Sequence, residues 1–130
     1  MPRKPKFPVE IGGKFHTVRI PNWHPARLNE LIGRHRMAIS RRKRSDREIV
    51  AAYVLMAGAI EATGKRRVNL HITLSPRQRA ADPDAYWKSL LDALVHCKAL
   101  RNDNRQWVEL MPVEFDRAST KATTIVLTDV

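Results

Sequence analysis

Five charged side chains in the stretch 77–104 have the types and spacing to act together: Asp82, Asp84, Lys88, Asp92 and Asp103. Asp82 and Asp84 flank Pro83, and Asp103 follows in the polar run R-N-D-N. Two carboxylates about 5 Å apart repel by roughly 3 kcal/mol at an effective dielectric near 20, so gathered acids require an offsetting cation. Lys88 supplies one fixed positive charge, and a divalent ion would supply the rest. Oxygen donors with no His or Cys beside them in sequence favour a hard ion such as Mg²⁺ over Zn²⁺. The same residues admit a plainer reading, with Asp-Pro-Asp as a turn and cap, Asp92 as a solvated helix acid and Asp103 as a loop residue. Composition and spacing leave both open.

These acids must be held by a helix. Trp87, Leu90, Leu91 and Leu94 recur at i, i+3, i+4 and i+7, which predicts a helix with one apolar stripe. Asp84 reads as its N-cap, and Pro83 sets a rigid entry that keeps Asp82 just outside it. Lys88 and Asp92 follow Asp84 at i+4 steps, drifting about 40° each time, as a polar margin to the stripe. Three carboxylates converge if Asp103 folds back beside the helix start.

Around this helix the sequence predicts strands at 7–11 and 15–20, turning at Gly12-Gly13, with Pro8 marking an edge. Val68, Leu70, Ile72 and Leu74 alternate with Asn69, His71 and Thr73, a half-buried strand ended by Pro76, with His71 expected at the surface or an interface. Residues 107–115 and 123–128 read as closing strands joined around 116–119, the first carrying a bulge or edge at Pro112. Ser45 and Glu48 form a capping box before a helix through Ile49, Ala52, Tyr53, Met56, Ala59 and Ile60, with Gly64 as its stop. Trp23, in P-N-W-H-P, is expected to close over the core, with stacking on an unpaired base as the functional option; His24 carries no assigned role. The sum is an α+β fold, one domain over 1–130, with a mixed β-sheet packed by two main helices.

With 24 Lys and Arg against 13 Asp and Glu, the net charge is +11 and the pI near 10.7. Phosphate neutralisation makes an anionic polymer the expected partner, without separating a nuclease from an architectural protein. Residues 1–6 read as a flexible basic arm that aids solubility. Residues 34–47 hold Arg34, Arg36, Arg41, Arg42, Lys43, Arg44 and Arg47; because adjacent like charges repel, the segment is expected to be a mobile basic loop that grips DNA backbone without reading sequence. Arg77 and Arg79 join Arg41, Arg42, Lys43 and Arg44 as candidates for holding phosphate. Cys97 is the only cysteine, so no internal disulfide forms, and a reducing cytoplasm fits. Neighbouring helical residues point about 100° apart, so His96 is a poor base for the Cys97 thiol. Without a long apolar run or signal segment, neither membrane insertion nor secretion is expected.

The run D-P-D-A-Y-W-K-S-L-L-D-A-L-V, followed by R-N-D-N, resembles the RusA family of Holliday junction resolvases. That family carries D-x-D-N, a lysine shortly after, D-A-L in a helix, and an acidic pair beyond it. Order and spacing match from Asp82 through Lys88 and Asp92 to Asp103; outside this stretch the likeness is looser. Ala85 stands where the family has asparagine, which removes a hydrogen bond behind the acids, and Asn102 replaces the first acid of the later pair. The resemblance implies a RusA-like fold and a Mg²⁺-dependent endonuclease, with Mn²⁺ as a possible substitute. It further implies Asp82, Asp84 and Asp103 as metal ligands beside a catalytic Lys88, and a homodimer cutting four-way DNA junctions in recombination and repair. The setting would be a bacterial cytoplasm or that of a phage host, with no organic cofactor and no membrane. Competing readings are a non-catalytic DNA-binding protein of the same fold, a nuclease for flaps or replication forks, and an RNA-binding or ribosome-associated protein that leaves the spaced acids unexplained.

Overall fold

The fold is assembled on β2 (Arg66–Leu74), whose alternate residues Val68, Leu70, Ile72 and Leu74 are buried. The computed structural model describes residues 15–27, 35–59, 61–80 and 84–130. Along one edge β2 pairs antiparallel with β5 (Ala122–Asp129), from Arg66↔Asp129 to Thr73↔Ala122. Its other edge takes two short parallel strands, β3 (Val108–Leu110) at its start and β4 (Glu114–Arg117) at its end. β1 (Phe15–Pro21) completes the mixed sheet, antiparallel to β5. The expected strand at 107–115 is thus two strands broken at 111–113, because Pro112 cannot donate to the ladder. The closing turn falls after Arg117, later than expected.

Two helices supply the rest of the core. α1 (Arg36–Met56) contributes Val50 and Val54; α2 (Asp84–His96) contributes Tyr86, Trp87, Leu90, Leu91 and Leu94. These pack with Val18, Ile20, Ile125 and Leu127 of the sheet in one cluster. The 3.6-residue stripe predicted for α2 is the face it buries.

α1 corrects three expectations. The basic segment expected as a mobile loop is helical from Arg36 onward, and Ser45 and Glu48 lie in mid-helix, not at a cap. His35 is the N-cap, its Nδ1 accepting from the Met37 amide at 3.3 Å. Like charges adjacent in sequence diverge by about 100° around a helix, and Asp46 and Asp92 pair with Arg42 and Arg47, so part of the repulsion that argued for a loop is offset. The C-terminal stop is Gly58 (φ 71), not Gly64. The Gly58 amide donates to Leu55 O at 3.0 Å and the Ala59 amide to Val54 O at 3.2 Å, a Schellman closure that needs the left-handed residue between them.

The expected basic arm at 1–6, the strand at 7–11, the Gly12-Gly13 turn, Arg34, Ile60, Asp82 and Pro83 lie outside the described residues. Among the described residues no helix is long and apolar enough to cross a membrane.

Candidate functional site

β2 and α2 position the candidate catalytic residues. β2 ends at Leu74, and the chain then enters a loop whose carbonyls are gathered by one side chain: Arg117 Nη1 donates to Ser75 O at 3.0 Å and to Gln78 O at 2.7 Å. Gln78 closes the loop by donating its amide to Ser75 O at 3.1 Å. Arg77 and Arg79 are exposed on this loop, and Arg79 is held by its carbonyl, which accepts from Arg27 Nη1 at 3.3 Å. α2 then opens at Asp84, with Lys88 one turn on; both are exposed. Two guanidinium groups on the loop leaving β2, and a carboxylate and an ammonium on the first turns of α2, therefore follow the carboxyl end of β2 in the chain. In sheets with parallel strands that is where ligands collect, and the N-terminus of α2 adds partial positive charge there.

Asp103 belongs to the other end. Leu100 N donates to Leu94 O at 3.2 Å, folding the chain against the last turns of α2. Arg66 Nη1, at the first residue of β2, donates to Ala99 O at 2.9 Å, and Arg66 N to Trp107 O at 3.1 Å. The Trp107 and Val108 amides both return to Asn104 O at 3.0 Å. Exposed Asp103, between these anchors, thus lies near the amino end of β2, whereas Asp84 lies beyond its carboxyl end. The twelve steps from Asp84 to His96 separate those ends by about 18 Å along the axis. The fold-back of Asp103 onto the start of its own helix is not what the described residues form, because β3 pairs in parallel with β2 and so the chain must return to the strand's beginning. Among the described residues there is no group of three or more His, Cys, Asp or Glu side chains arranged to hold a metal ion.

Asp92 is committed elsewhere. Its Oδ2 accepts from Arg47 Nε at 3.0 Å and Nη2 at 2.9 Å, tying α2 to α1. Arg42 is also spoken for. Its Nε donates to Asp46 Oδ1 at 3.0 Å and its Nη2 to His24 O at 3.1 Å, which makes it a structural member of the basic run. Arg41, Lys43 and Arg44 are exposed.

Asp46 is the residue that sequence reasoning missed. It is only 2% exposed, yet accepts from four donors: Trp23 Nε1 at 3.2 Å, Ala26 N at 3.1 Å, Ser89 Oγ at 3.1 Å and Arg42 Nε. One carboxylate thereby joins α1, α2 and the segment after β1. Its signal in sequence was present, since it is the sole acid in 34–47 and stands four residues after Arg42. Trp23 closes over the core as expected, its indole nitrogen fixed by that same acid.

His71 departs from its expected place, being buried at 9% exposure. Its Nε2 lies 3.1 Å from Asp116 Oδ2 and its Nδ1 3.8 Å from Glu114 Oε2. Parallel pairing sets His71 opposite Glu114, so β4 lays its two acids over the imidazole. Cys97 is half-buried with its thiol toward Leu94 O at 3.5 Å, and burial pushes its pKa up, the reverse of what a nucleophile needs.

Compared with known proteins, the chain matches no family model and no curated protein, so the site stands on the geometry of its own residues.

Proposed function

We propose that this protein is a Mg²⁺-dependent endodeoxyribonuclease that acts as a homodimer on four-way DNA junctions and hydrolyses phosphodiesters in pairs. The observation that carries this reading is the exposed set Arg77, Arg79, Asp84 and Lys88 beyond the carboxyl end of β2, in a chain of net charge +11. Cations that attract phosphate and a carboxylate that repels it follow β2 in the same stretch of chain, a combination suited to binding a metal and a phosphodiester together.

Asp82, Asp84 and Asp103 would hold the ion. The donors fit: Asp84 and Asp103 are exposed carboxylates, the hard oxygen ligands Mg²⁺ prefers, and solvent can reach both. When bound, the ion supplies charge stabilisation at the phosphoryl oxygens and an acidified water. Lys88, one turn beyond Asp84, sets its ammonium against the phosphate as negative charge develops there. Arg77 and Arg79 hold the flanking phosphates in register. Since Asp84 and Asp103 occupy opposite ends of α2, the acid set is completed between chains. A two-fold axis that brings the Asp103 loop of the second copy to Asp84 of the first would also generate the two related sites that paired cuts require.

The test is incubation of the purified protein with an end-labelled four-way junction and Mg²⁺. The proposal expects symmetric cuts in two strands, abolished by Asp103→Asn while junction affinity holds or rises. Binding without any nicking would instead favour a non-catalytic DNA-binding role, and faster cutting of flaps or forks would reassign the substrate.

A further inference from the structure

Ser40, Lys43, Arg44, Arg47 and Glu48 recur at i, i+3, i+4, i+7 and i+8 of α1, the spacing of a single helix face. That face forms one wall of an open groove of about 530 Å³, with His96 at the end of α2 opposite it. We propose that this groove is a track for the phosphate backbone of nucleic acid, a proposal that rests on the DNA-binding part of the reading above and lies apart from its catalytic acids.

Three observations support the assignment. The groove is lined by three cations against one acid, a charge balance that attracts a polyanion. Lys43 and Arg44 are exposed and form no ion pair or side-chain hydrogen bond with a described residue, so both are available to phosphate. Arg47 is oriented by its pair with Asp92, which fixes the α2 wall against α1. The eight steps from Ser40 to Glu48 span about 12 Å of helix axis. Strand phosphates rise about 3.4 Å along the duplex axis but also wind around it, so their spacing along the strand is larger and this length meets about two of them. The four consecutive cations at 41–44 therefore have different roles. Lys43 and Arg44 face the groove, Arg41 lies outside it, and Arg42 turns inward to Asp46 and His24.

The experiment measures binding of the full-length chain to a labelled duplex and a four-way junction by fluorescence anisotropy across a salt series. Lys43→Ala/Arg44→Ala is compared with Arg19→Ala/Lys121→Ala, which removes equal charge from β1 and from the turn before β5. Each duplex phosphate contact contributes about 0.9 to the slope of log affinity against log salt, so the groove pair flattens the slope by about 1.8 and the control pair by less than half of that. Both groove residues are exposed helix positions where alanine favours the helix, so circular dichroism should report an unchanged fold. If wild type binds with a steep salt dependence but both pairs flatten it equally, the groove assignment is overturned while the nucleic-acid reading survives. If wild type shows no salt-dependent binding to either DNA, both fall.

Discussion

Mixing two inactive variants tests whether the acids meet between chains. Asp84→Asn removes a proposed ligand at the start of α2, and Asp103→Asn removes another near its far end, about 18 Å away along the helix axis. Each variant alone leaves both sites of a homodimer short of one carboxylate. In a mixed dimer with sites shared between chains, one site collects both substitutions and the other collects none. Equal mixing makes about half the dimers mixed, each with one intact site of two, so about a quarter of the wild-type sites return. The assay is cleavage of an end-labelled junction after co-refolding or prolonged subunit exchange. The expected product is a single nick per junction, with paired cuts still absent. If every site were built within one chain, both sites of the mixed dimer would remain defective and no activity would return. A flat zero, with mixed dimers verified by differently tagged subunits, would refute the arrangement.

Four other outcomes follow from the geometry. Asp46→Ala orphans three buried or half-buried donors and removes the carboxylate from Arg42 Nε, and should lower unfolding stability by about 4 kcal/mol in a urea titration; a loss below about 1.5 kcal/mol would contradict its role as a joint. Asp129→Ala strips the carboxylate from Arg66, whose side chain is 1% exposed, and should cost about 2 kcal/mol, less than a fully buried pair because Asp129 itself is 43% exposed; an unchanged midpoint would speak against it. Cys97, its pKa raised above 9.0 by burial, should alkylate with iodoacetamide at pH 8 more slowly than a free thiol and recover the ordinary rate in urea. Its contribution to stability is complete below pH 9.0 and is lost as the pH climbs through the raised folded value. Asp92→Asn removes a negative charge beside the groove and should tighten duplex binding about threefold at low salt, as expected for one charge about 7 Å away in water; weaker binding would mean that Arg47 acts only when held by that acid.

Local patterns made α2, β1, β2 and β5 legible: an apolar stripe for α2, alternation for β2, β-branched composition for β5 and the neighbouring Gly12-Gly13 pair for β1. α1 was only half legible. Its C-terminal half carries the apolar period, but the half before Asp46 looks like a loop until that acid is seen to accept from Trp23, Ala26 and Ser89, partners distant in sequence. The residue types of the candidate site were legible at Asp84, Lys88 and Asp103, and their positions were not. Whether Asp103 sits with Asp84 depends on β3 running parallel to β2, a pairing across about forty residues that no local pattern encodes. His71 was misjudged for the same reason, since the acids that cover it arrive on β4.

The shared carboxylate of Asp46 has a mechanical consequence. A load placed on α1, such as a bound DNA arm would exert under the proposed function, passes through Asp46 together with the Arg47–Asp92 pair into α2 and into the segment following β1, so the helix does not swing alone.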